Sequence, residues 1–589
     1  MPLGVSDLGG GQVGFAVWAP HATGVSVAGE FNDWNFSAAP LERDGDVWSG
    51  AYSAVEGDEY KFRLQTEHGE LDRIDPYARE VTNSVGAGLI RFRSQARDGF
   101  TPPPRSAMVI YELHIGTFAG VDGIGTYDDA IERLDALADV GVNAIEVMPT
   151  AEFAGDQSWG YNPAHPFAVE SAYGGPDALR RFVAAAHERG MAVIIDVVFN
   201  HFGPSDLDLW RFDGWGVGDY GGIYFFNDER ASTPWGNTRP DYGRREVRDY
   251  IVANACYWVE EFGADGLRFD MTLYMRSIDA GNERPIPEGW SLTQQVNDAV
   301  QAVGERLGKP LLTIAEDLQD ESRLTQPVAS GGAGFGAQWS AEFVHPVRHL
   351  LISPSDDDRS PSAYARTLQF RYGDDPFARV IYTESHDEVA NGRARIPTEI
   401  NPDDATGDYA ASRAAFGLML MMTTPGIPML FQGQERLRDL WFQDSRPLDW
   451  TLTERNVGFV QLATDLIRLR TGRDDRANGL AGNSVAVLHI DEAAGVMAWH
   501  RWDRGGVGDD TLVVANFRNA PVSGYRIGLP VDGDWQVVFN GDADRYGPQF
   551  DGHEVADLKV EAIEWHGKPR SAEVSVAPYS VTIYARSMP

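Results

Sequence analysis

Hydrophobic segments that end in polar or charged residues recur along this chain, with amphipathic helix patterns between them. Four such segments are Met191 to His201, Ala264 to Asp270, Leu311 to Asp317 and Val380 to Glu388. Runs that are apolar throughout are typical of strands buried on both faces of a parallel sheet. Strands that alternate with helices predict an α/β fold closed by right-handed crossovers. Polar residues at the C-terminal ends of several strands indicate the active face of a barrel enzyme.

Two helices between the strands can be read from their spacing. A capping threonine at Thr126 and a glycine at Gly141 bound the first, and the second spans Pro176 to Gly190. Each runs into a hydrophobic strand, which repeats the strand and helix alternation.

Asp270, the last residue of the segment from Ala264 to Asp270, is the candidate nucleophile. Arg268 stands two residues before it, and side chains two apart on a strand point to the same face. A cation beside a carboxylate lowers its pKa and keeps it ionised, as a nucleophile requires. A buried structural Arg–Asp pair is the alternative interpretation for this run in isolation.

With the four segments in this order, the chain resembles the α-amylase family of glycoside hydrolases (glycoside hydrolase family 13), over nearly all of its length. The resemblance implies Asp270 as nucleophile and Glu316 as general acid/base. It implies that Asp387 binds the ring hydroxyls of the sugar and helps to stabilise the transition state. The implied fold is a central (β/α)8 barrel flanked by β-sandwiches.

The resemblance also implies the groups that bind the sugar. Arg268 would orient Asp270, and His201 and His386 would hydrogen-bond the sugar in the cleavage subsite. The segment from Trp159 to Pro163 matches the one whose tyrosine, here Tyr161, stacks beneath that sugar. Asp196 has two interpretations, a substrate contact or a hydrogen bond to another active-site group that shapes the pocket.

Cleavage of a glycosidic bond with retention of the anomeric configuration needs two carboxyl groups roughly 5 Å apart. One is ionised and attacks, and the other is protonated and assists the departure of the leaving group. Glu316 is predicted to be the proton donor because ionised aspartates nearby raise its pKa, while Arg268 holds the charge of Asp270.

Composition restricts the partners. The net charge of −37 and the pI near 4.6 argue against nucleic acid or an anionic membrane and favour a neutral or cationic ligand. Neutral polysaccharide is compatible with this. The single cysteine, Cys256, excludes an internal disulfide. The first residues lack the pattern of a signal peptide and no stretch of about 18 apolar residues occurs, which predicts a cytoplasmic protein. Oligomeric state is not readable from the sequence.

Three domains are predicted. Residues 1–100 read as an immunoglobulin-like β-sandwich, residues 106–475 as the barrel with a rim insertion near 202–249, and residues 480–589 as a C-terminal β-sandwich. The segment Phe31 to Trp34 resembles the loop of the glycogen-binding-type carbohydrate-binding module that precedes branching enzymes, isoamylases and trehalohydrolases. Two roles are open for this module: it binds glucan through Trp34, or it only supports the barrel.

The exact reaction has several candidates. His386 to Val389, Gly433 to Glu435 and the front module look like glucan branching enzymes, which act on glycogen-like or starch-like glucans. A hydrolytic α-amylase is second, and a maltooligosyltrehalose trehalohydrolase is third, because Tyr274 and Glu388 depart from that group's pattern. A non-catalytic glucan-binding protein is the hypothesis from another class. No cofactor is expected, since no dense run of Asp ligands supports the calcium that the family allows.

Overall fold

The computed structural model describes residues 1–96, 99–203, 207–281 and 283–587. The N-terminal domain consists of two facing sheets, with strand orders β1-β2-β5-β4 and β3-β6-β7, and β8 pairs with β6. Its strands are β1 (Gly4–Gly9), β2 (Gln12–Trp18), β3 (Gly24–Gly29), β4 (Glu42–Asp44), β5 (Val47–Ser53), β6 (Glu59–Thr66), β7 (Gly69–Arg73) and β8 (Gly88–Leu89). Its core contains Phe15, Val27, Tyr60 and Phe62, all fully buried.

The central domain is a closed barrel of parallel strands in the order β10-β13-β14-β15-β16-β17-β18-β9. The barrel strands are β9 (Ile110–Leu113), β10 (Ala144–Val147), β13 (Ala192–Val197), β14 (Gly266–Phe269), β15 (Leu312–Ala315), β16 (Ala337–Trp339), β17 (Arg379–Tyr382) and β18 (Ile427–Phe431). Strands β11 (Ala151–Phe153) and β12 (Pro163–Val169) form a separate hairpin after β10. The predicted fold class is therefore confirmed.

Helices surround the barrel. They are α1 (Ile115–Phe118), α2 (Tyr127–Ile131), α3 (Leu134–Val140), α4 (Gly175–Glu188), α5 (Arg245–Phe262), α6 (Leu273–Arg276), α7 (Pro287–Leu307), α8 (Ala341–Ile352), α9 (Pro361–Gln369), α10 (Ile396–Ile400), α11 (Asp408–Thr423) and α12 (Glu454–Arg470). None of the helices in the described ranges is long and apolar enough to cross a membrane.

The prediction of one continuous helix from Thr126 to Gly141 is wrong, because the structure divides this segment into α2 and α3. Thr126 caps α2 in a capping box with Asp129, and Gly141 ends α3 with φ 100°. Between them the N–H of Arg133 bonds to the carbonyl of Ala130 at 3.0 Å, three residues back, which tightens the chain into a turn.

The rim insertion lies between β13 and α5, as an irregular segment with a 3-10 turn at Glu229–Ala231. The predicted range 202–249 ends too late, because α5 begins at Arg245, and residues 204–206 of that range lie outside the described residues. The insertion packs on the N-terminal domain. Arg73 donates to the carbonyl of Phe212 at 2.9 Å, and the rings of His21 and Trp215 stack at 4.6 Å.

The C-terminal domain is all β. One sheet has the order β19-β20-β21-β25-β23, and β22 pairs with β24. The strands are β19 (Ser484–Asp491), β20 (Val496–Trp502), β21 (Thr511–Asn516), β22 (Val522–Gly528), β23 (Asp534–Asn540), β24 (Ser571–Val576) and β25 (Ser580–Ser587). Its own core includes Ala498, Val514 and Ile527, and Arg501 joins it to the barrel domain by donating to the carbonyl of Thr423 at 2.8 Å.

Candidate active site

The predicted acids gather at the C-terminal end of the barrel. Asp270 directly follows β14, Glu316 directly follows β15, and Asp387 lies in the loop after β17. Because parallel strands end at one edge of a barrel, residues far apart in the sequence are brought together there. Asp270 and Glu316 are buried, whereas the side chain of Asp387 is 44% exposed. Asp387 is therefore the acid of the three that is open to solvent.

Arg268 is the central cation of the site and is completely buried. Its Nη1 donates to Asp196 Oδ2 at 2.6 Å and to Asp270 Oδ1 at 3.2 Å, and its Nη2 donates to Glu316 Oε2 at 2.6 Å. It also lies over the ring of Trp339, 4.4 Å from the ring centroid. Arg268 therefore contacts Asp270, as the sequence spacing indicated, and makes two shorter contacts to Asp196 and Glu316.

Asp270 is positioned by Asn200, which lies just after the end of β13. Asn200 Nδ2 donates to Asp270 Oδ2 at 2.6 Å and to the Asp270 carbonyl at 2.9 Å. Burial raises the pKa of Asp270 to about 6, even though Arg268 and the Asn200 hydrogen bond act in the opposite direction. The predicted lowering of this pKa is therefore wrong, since burial outweighs the cation. The carboxyl is still mostly ionised at pH 7.

Glu316 has the environment of a proton donor. Its Oε2 accepts from Arg268 and from the backbone N–H of Met271 at 3.0 Å, while Oε1 meets no hydrogen-bond partner in the part of the chain that the structure describes. Burial, together with the charges of Asp270 and Asp387, raises the pKa of Glu316 to about 8 despite Arg268. The proton therefore resides on a carboxyl with one oxygen unbonded to the protein.

The chain adopts an uncommon backbone conformation immediately after Asp270. Met271 has φ 37°, in the left-handed region that non-glycine residues rarely occupy. Such a conformation costs on the order of 1–3 kcal/mol and persists where the surrounding structure enforces it. Directly after this turn the N–H of Thr272 donates to the carbonyl of Glu316 at 2.6 Å, which ties the end of β14 to the end of β15.

Asp196 contacts two groups of the site. Its Oδ2 accepts from Arg268 and from the hydroxyl of Tyr161 at 2.7 Å. Burial raises the pKa of Asp196 to about 6 against the influence of Arg268. These bonds match the interpretation in which Asp196 shapes the pocket by holding other active-site groups.

His201 is enclosed by protein groups. Its Nε2 lies 2.7 Å from the carbonyl oxygen of Tyr161 and its Nδ1 lies 2.5 Å from Oδ1 of Asn200. Burial lowers the pKa of His201 to about 4. Trp235 of the rim insertion stacks on the imidazole with centroids 4.4 Å apart, and 47% of Trp235 is exposed. Trp235 thus forms an exposed aromatic face beside the predicted subsite.

His386 stands among aromatic rings. Tyr161 stacks on it at 5.0 Å, and Trp159 meets it edge to face at 5.6 Å. Its Nδ1 lies 2.5 Å from Glu112 Oε1, and its Nε2 lies 3.5 Å from Asp387 Oδ2. The structure therefore brings Trp159, Tyr161 and His386 together at the site, as the resemblance implied.

Two acids of the barrel interior were missed by the sequence reasoning. Glu112 on β9 binds His386, and Glu146 lies beside it in register on β10. Both carboxylate oxygens of Glu146 meet no hydrogen-bond partner among the described side chains and backbone groups. Burial raises the pKa of Glu146 well above its usual range. The available signal was an acid inside each of two otherwise apolar strands.

Two other acids from the sequence motifs, Glu388 and Glu435, are bound by groups of the protein itself. Glu388 is paired with Arg348 at 3.1 Å and Arg393 at 2.5 Å. Glu435 accepts from the hydroxyl of Tyr111 at 3.0 Å and pairs with Arg436 at 2.8 Å. These two acids are therefore satisfied by ion pairs and hydrogen bonds within the protein.

No group of three or more His, Cys, Asp and Glu side chains within the described ranges has the arrangement of a metal site. Cys256 is a free cysteine, and burial raises the pKa of its thiol to about 11.

A parallel barrel with Asp270, Glu316 and Asp387 at its C-terminal edge, beside sandwich domains on both flanks, is the architecture of a barrel glycosidase. Residues 2–78 match carbohydrate-binding module 48 (isoamylase N-terminal domain), residues 116–211 the α-amylase catalytic domain, and residues 488–587 the α-amylase C-terminal all-β domain. The chain belongs to the α-amylase family, in the group that contains the glucan branching enzymes.

Curated relatives support that placement. The chain is 31% identical to the 1,4-alpha-glucan branching enzyme GlgB of Corynebacterium jeikeium, over 98% of this chain and 82% of the relative. It is 32% identical to the enzyme of the same name from Rhodospirillum rubrum, over 97% of this chain and 79% of the relative.

Solved structures share the fold. A putative alpha amylase from Salmonella typhimurium has a TM-score of 0.72 and 22% identity, with 99% of each chain covered. A pullulanase from Anoxybacillus sp. LM18-11, complexed with maltotetraose, has a TM-score of 0.76 and 19% identity, covering 99% of this chain and 87% of that one.

Proposed function

We propose that the protein is a 1,4-α-glucan branching-type transglycosylase that acts on glycogen-like or starch-like glucans. The observation that carries this proposal is the identity of 31–32% with branching enzymes over 97–98% of the chain. Its substrate is an α-glucan or maltooligosaccharide, a neutral polymer compatible with a net charge of −37.

The first half of the proposed reaction breaks an α-1,4 bond. The carboxylate of Asp270 attacks the anomeric carbon, and Glu316 gives its proton to the departing glycosidic oxygen. A protonated Glu316 and an ionised Asp270 at pH 7 support these roles. Asp387, open to the cleft, would bind the ring hydroxyls. The product is a covalent glucosyl-enzyme intermediate and a shortened glucan.

The second half resolves the intermediate. The 6-hydroxyl of an acceptor glucan gives its proton to Glu316 and attacks the anomeric carbon, which releases Asp270 and forms an α-1,6 bond. The acid, the nucleophile and the orienting cation all come from the chain, so we propose that no cofactor takes part. A cytoplasmic location stays a prediction.

The sugar-binding residues have supporting contacts. Tyr161, with its ring stacked on His386 and its hydroxyl on Asp196, is held in a fixed orientation for stacking beneath a sugar. Trp159 contacts the same histidine edge to face at 5.6 Å. His201 has both ring nitrogens against protein oxygens, so we propose that it acts on the sugar by holding Tyr161 and Asn200.

An α-amylase-type hydrolase is the second candidate. Its reaction and the branching reaction share the covalent intermediate, so the same three acids would serve both. The two reactions differ in whether a sugar hydroxyl or water resolves the intermediate. A trehalohydrolase is third, because Glu388 stands at the position where that group has a glutamine. Glu388 forms ion pairs with Arg348 and Arg393.

Proton NMR of amylose incubated with the purified protein tests the proposal. α-1,6 linkage signals and new reducing ends are followed in the same tube, with the Asp270→Asn variant as control. Growth of the α-1,6 signal with few reducing ends is expected. Reducing ends without α-1,6 signal would establish hydrolysis, and release of trehalose from a maltooligosyltrehalose would establish the third candidate. Binding of glucan without any turnover would establish the non-catalytic alternative.

A further inference from the structure

Glu112 lies on β9, inside the barrel, and both of its carboxylate oxygens contact a single residue. Oε1 accepts from the ring Nδ1–H of His386 at 2.5 Å, and Oε2 accepts from the backbone N–H of His386 at 3.1 Å. The two side chains are 1% and 2% exposed. Hydrogen bonds to an ionised partner are roughly twice as strong as neutral ones. This two-point contact holds both the backbone and the ring of His386.

The ring of His386 lies in a box of aromatic side chains. Tyr161 is stacked at 5.0 Å, Trp159 is at 5.6 Å with an interplanar angle of 82°, and Trp339 is at 6.1 Å. A cation within about 6 Å of aromatic faces is attracted by their quadrupoles. The stacked face of Tyr161 therefore favours a charged imidazole over a neutral one.

The acids around His386 also favour the charged ring. Burial disfavours the charged ring, but Asp387 and Glu112 outweigh it and raise the pKa of His386 to about 10, with Arg268 opposing them. Of the other titratable neighbours, burial lowers the pKa of His114 to about 4.

Two more titratable groups lie near the ring. Burial raises the pKa of Glu146 and of the Tyr161 phenol well above their usual ranges. The charges that act on the pKa of His386 are those of Asp387, Glu112 and Arg268.

We propose that Glu112 is a positioning residue that holds His386 as an imidazolium, with Nδ1–H bonded inside the barrel and Nε2–H directed to Asp387 and the sugar. A neutral ring that keeps its proton on Nδ1 would present Nε2 as an acceptor. Glu112 thereby decides whether His386 donates or accepts a hydrogen bond in the cleft.

Histidine side-chain ¹⁵N NMR of the full-length protein tests the charge directly. His386 is assigned by the resonances lost in a His386→Asn variant. We expect both ring nitrogens of His386 to stay protonated from pH 6 to pH 9 in the wild-type protein and to titrate within that range in Glu112→Gln. A wild-type His386 that titrates near its ordinary pKa of about 6.5 would overturn the proposal. The measurement needs no turnover, and its wild-type part needs no folded variant at position 112.

Kinetics supply the second readout, and this arm rests on the proposed function. In Glu112→Gln, kcat/KM at pH 8 should fall about tenfold further than at pH 6, because one unit of pKa corresponds to tenfold. Glu112→Asp, which keeps the charge, should restore part of the alkaline activity.

Glu146→Gln is the matched control, since Glu146 pairs in register with Glu112 on the adjacent strand but makes no side-chain hydrogen bond to His386 or to any other described residue. Its pH profile should match the wild type. Parallel loss at all pH values in Glu112→Gln would indicate a purely structural role and would refute the inference. Failure of the proposed branching activity, by contrast, leaves the NMR titration unaffected.

Discussion

Arg268 and Glu316 are joined by a 2.6 Å contact between Nη2 and Oε2, shorter than the 3.2 Å contact from the same guanidinium to Asp270. One cation therefore orients both acids of the proposed reaction. Burial nevertheless raises the pKa of Glu316 to about 8 and that of Asp270 to about 6. Neighbouring carboxylates raise both pKa values further, and the hydrogen bond from Asn200 lowers that of Asp270.

Replacing Asp270 with asparagine should abolish turnover. Removing a nucleophile costs about 10⁴-fold or more in kcat in well-studied enzymes, and no other carboxylate shares the hydrogen bond from Asn200 Nδ2 among the contacts of the described residues. Release and transfer of glucan from amylose would be measured. Asp279→Asn, at a surface ion pair with Arg284, should keep wild-type activity. Residual activity above a hundredth of wild type in Asp270→Asn would rule out its role as nucleophile.

Glu316→Gln should separate bond breaking that needs an acid from bond breaking that does not. General acid catalysis contributes typically 10²–10⁴-fold, so activity on amylose should fall by about that factor. An α-maltosyl fluoride needs no proton for departure of fluoride, and its first step should be far less affected. Comparable losses on both substrates would contradict the assignment of Glu316 as the acid.

The dependence of kcat/KM on pH should be bell-shaped. The nucleophile Asp270 must be ionised, so activity falls as pH drops below its pKa of about 6. Glu316 must be protonated, so activity falls as pH rises above its pKa of about 8. These limbs report the coupled pair in the free enzyme. In Glu316→Gln the alkaline limb should disappear on the fluoride substrate, and its persistence there would assign it to another group.

Arg268→Gln should destabilise the protein. Arg268 is fully buried against three carboxyl groups, and breaking a buried ionic network by removing one partner costs about 3–5 kcal/mol. The loss should be smaller at pH 5 than at pH 8, because Asp196 and Asp270, whose pKa values are about 6, then become neutral. Urea unfolding at the two pH values would measure both effects.

The control for that experiment is Arg181→Gln. Arg181 pairs with Asp128, and both side chains are more than half exposed. Exposed pairs contribute little to stability, so its unfolding midpoint should be unchanged. Equal midpoints for Arg268→Gln and the wild type would show that the buried network does not stabilise the fold.

Trp34→Ala tests the N-terminal module. Trp34 is 39% exposed and adopts φ 57° in a turn that its N–H closes onto the Gly29 carbonyl. If the module binds glucan through this ring, affinity for glycogen should drop several-fold while kcat on short maltooligosaccharides is unchanged. Trp565→Ala, with a similarly exposed ring in the C-terminal domain, is the control. Unchanged glycogen affinity would favour the supporting role.

Much of the site was readable before the structure because its residues follow recognisable strands. Apolar runs that stop at acids predicted the positions of Asp270 and Glu316, and period-two alternation predicted the contact of Arg268 with Asp270. Glu112 and Glu146 were missed because a strand pattern does not reveal which acid faces the barrel interior or what it meets there. The predicted pKa of Asp270 had the wrong direction, since burial cannot be read from sequence spacing.

The sequence by itself determined the order of strands and helices, the fold class and the identity of the acids, because these depend on local periodicity and on motifs read along the chain. Only the tertiary structure decided which acids share Arg268, which histidine is bound by Glu112 and which aromatic rings are exposed. Those relationships join residues up to 274 positions apart, as in the hydrogen bond between Glu112 and His386. They depend on closure of the barrel, which places distant strand ends side by side and removes them from water.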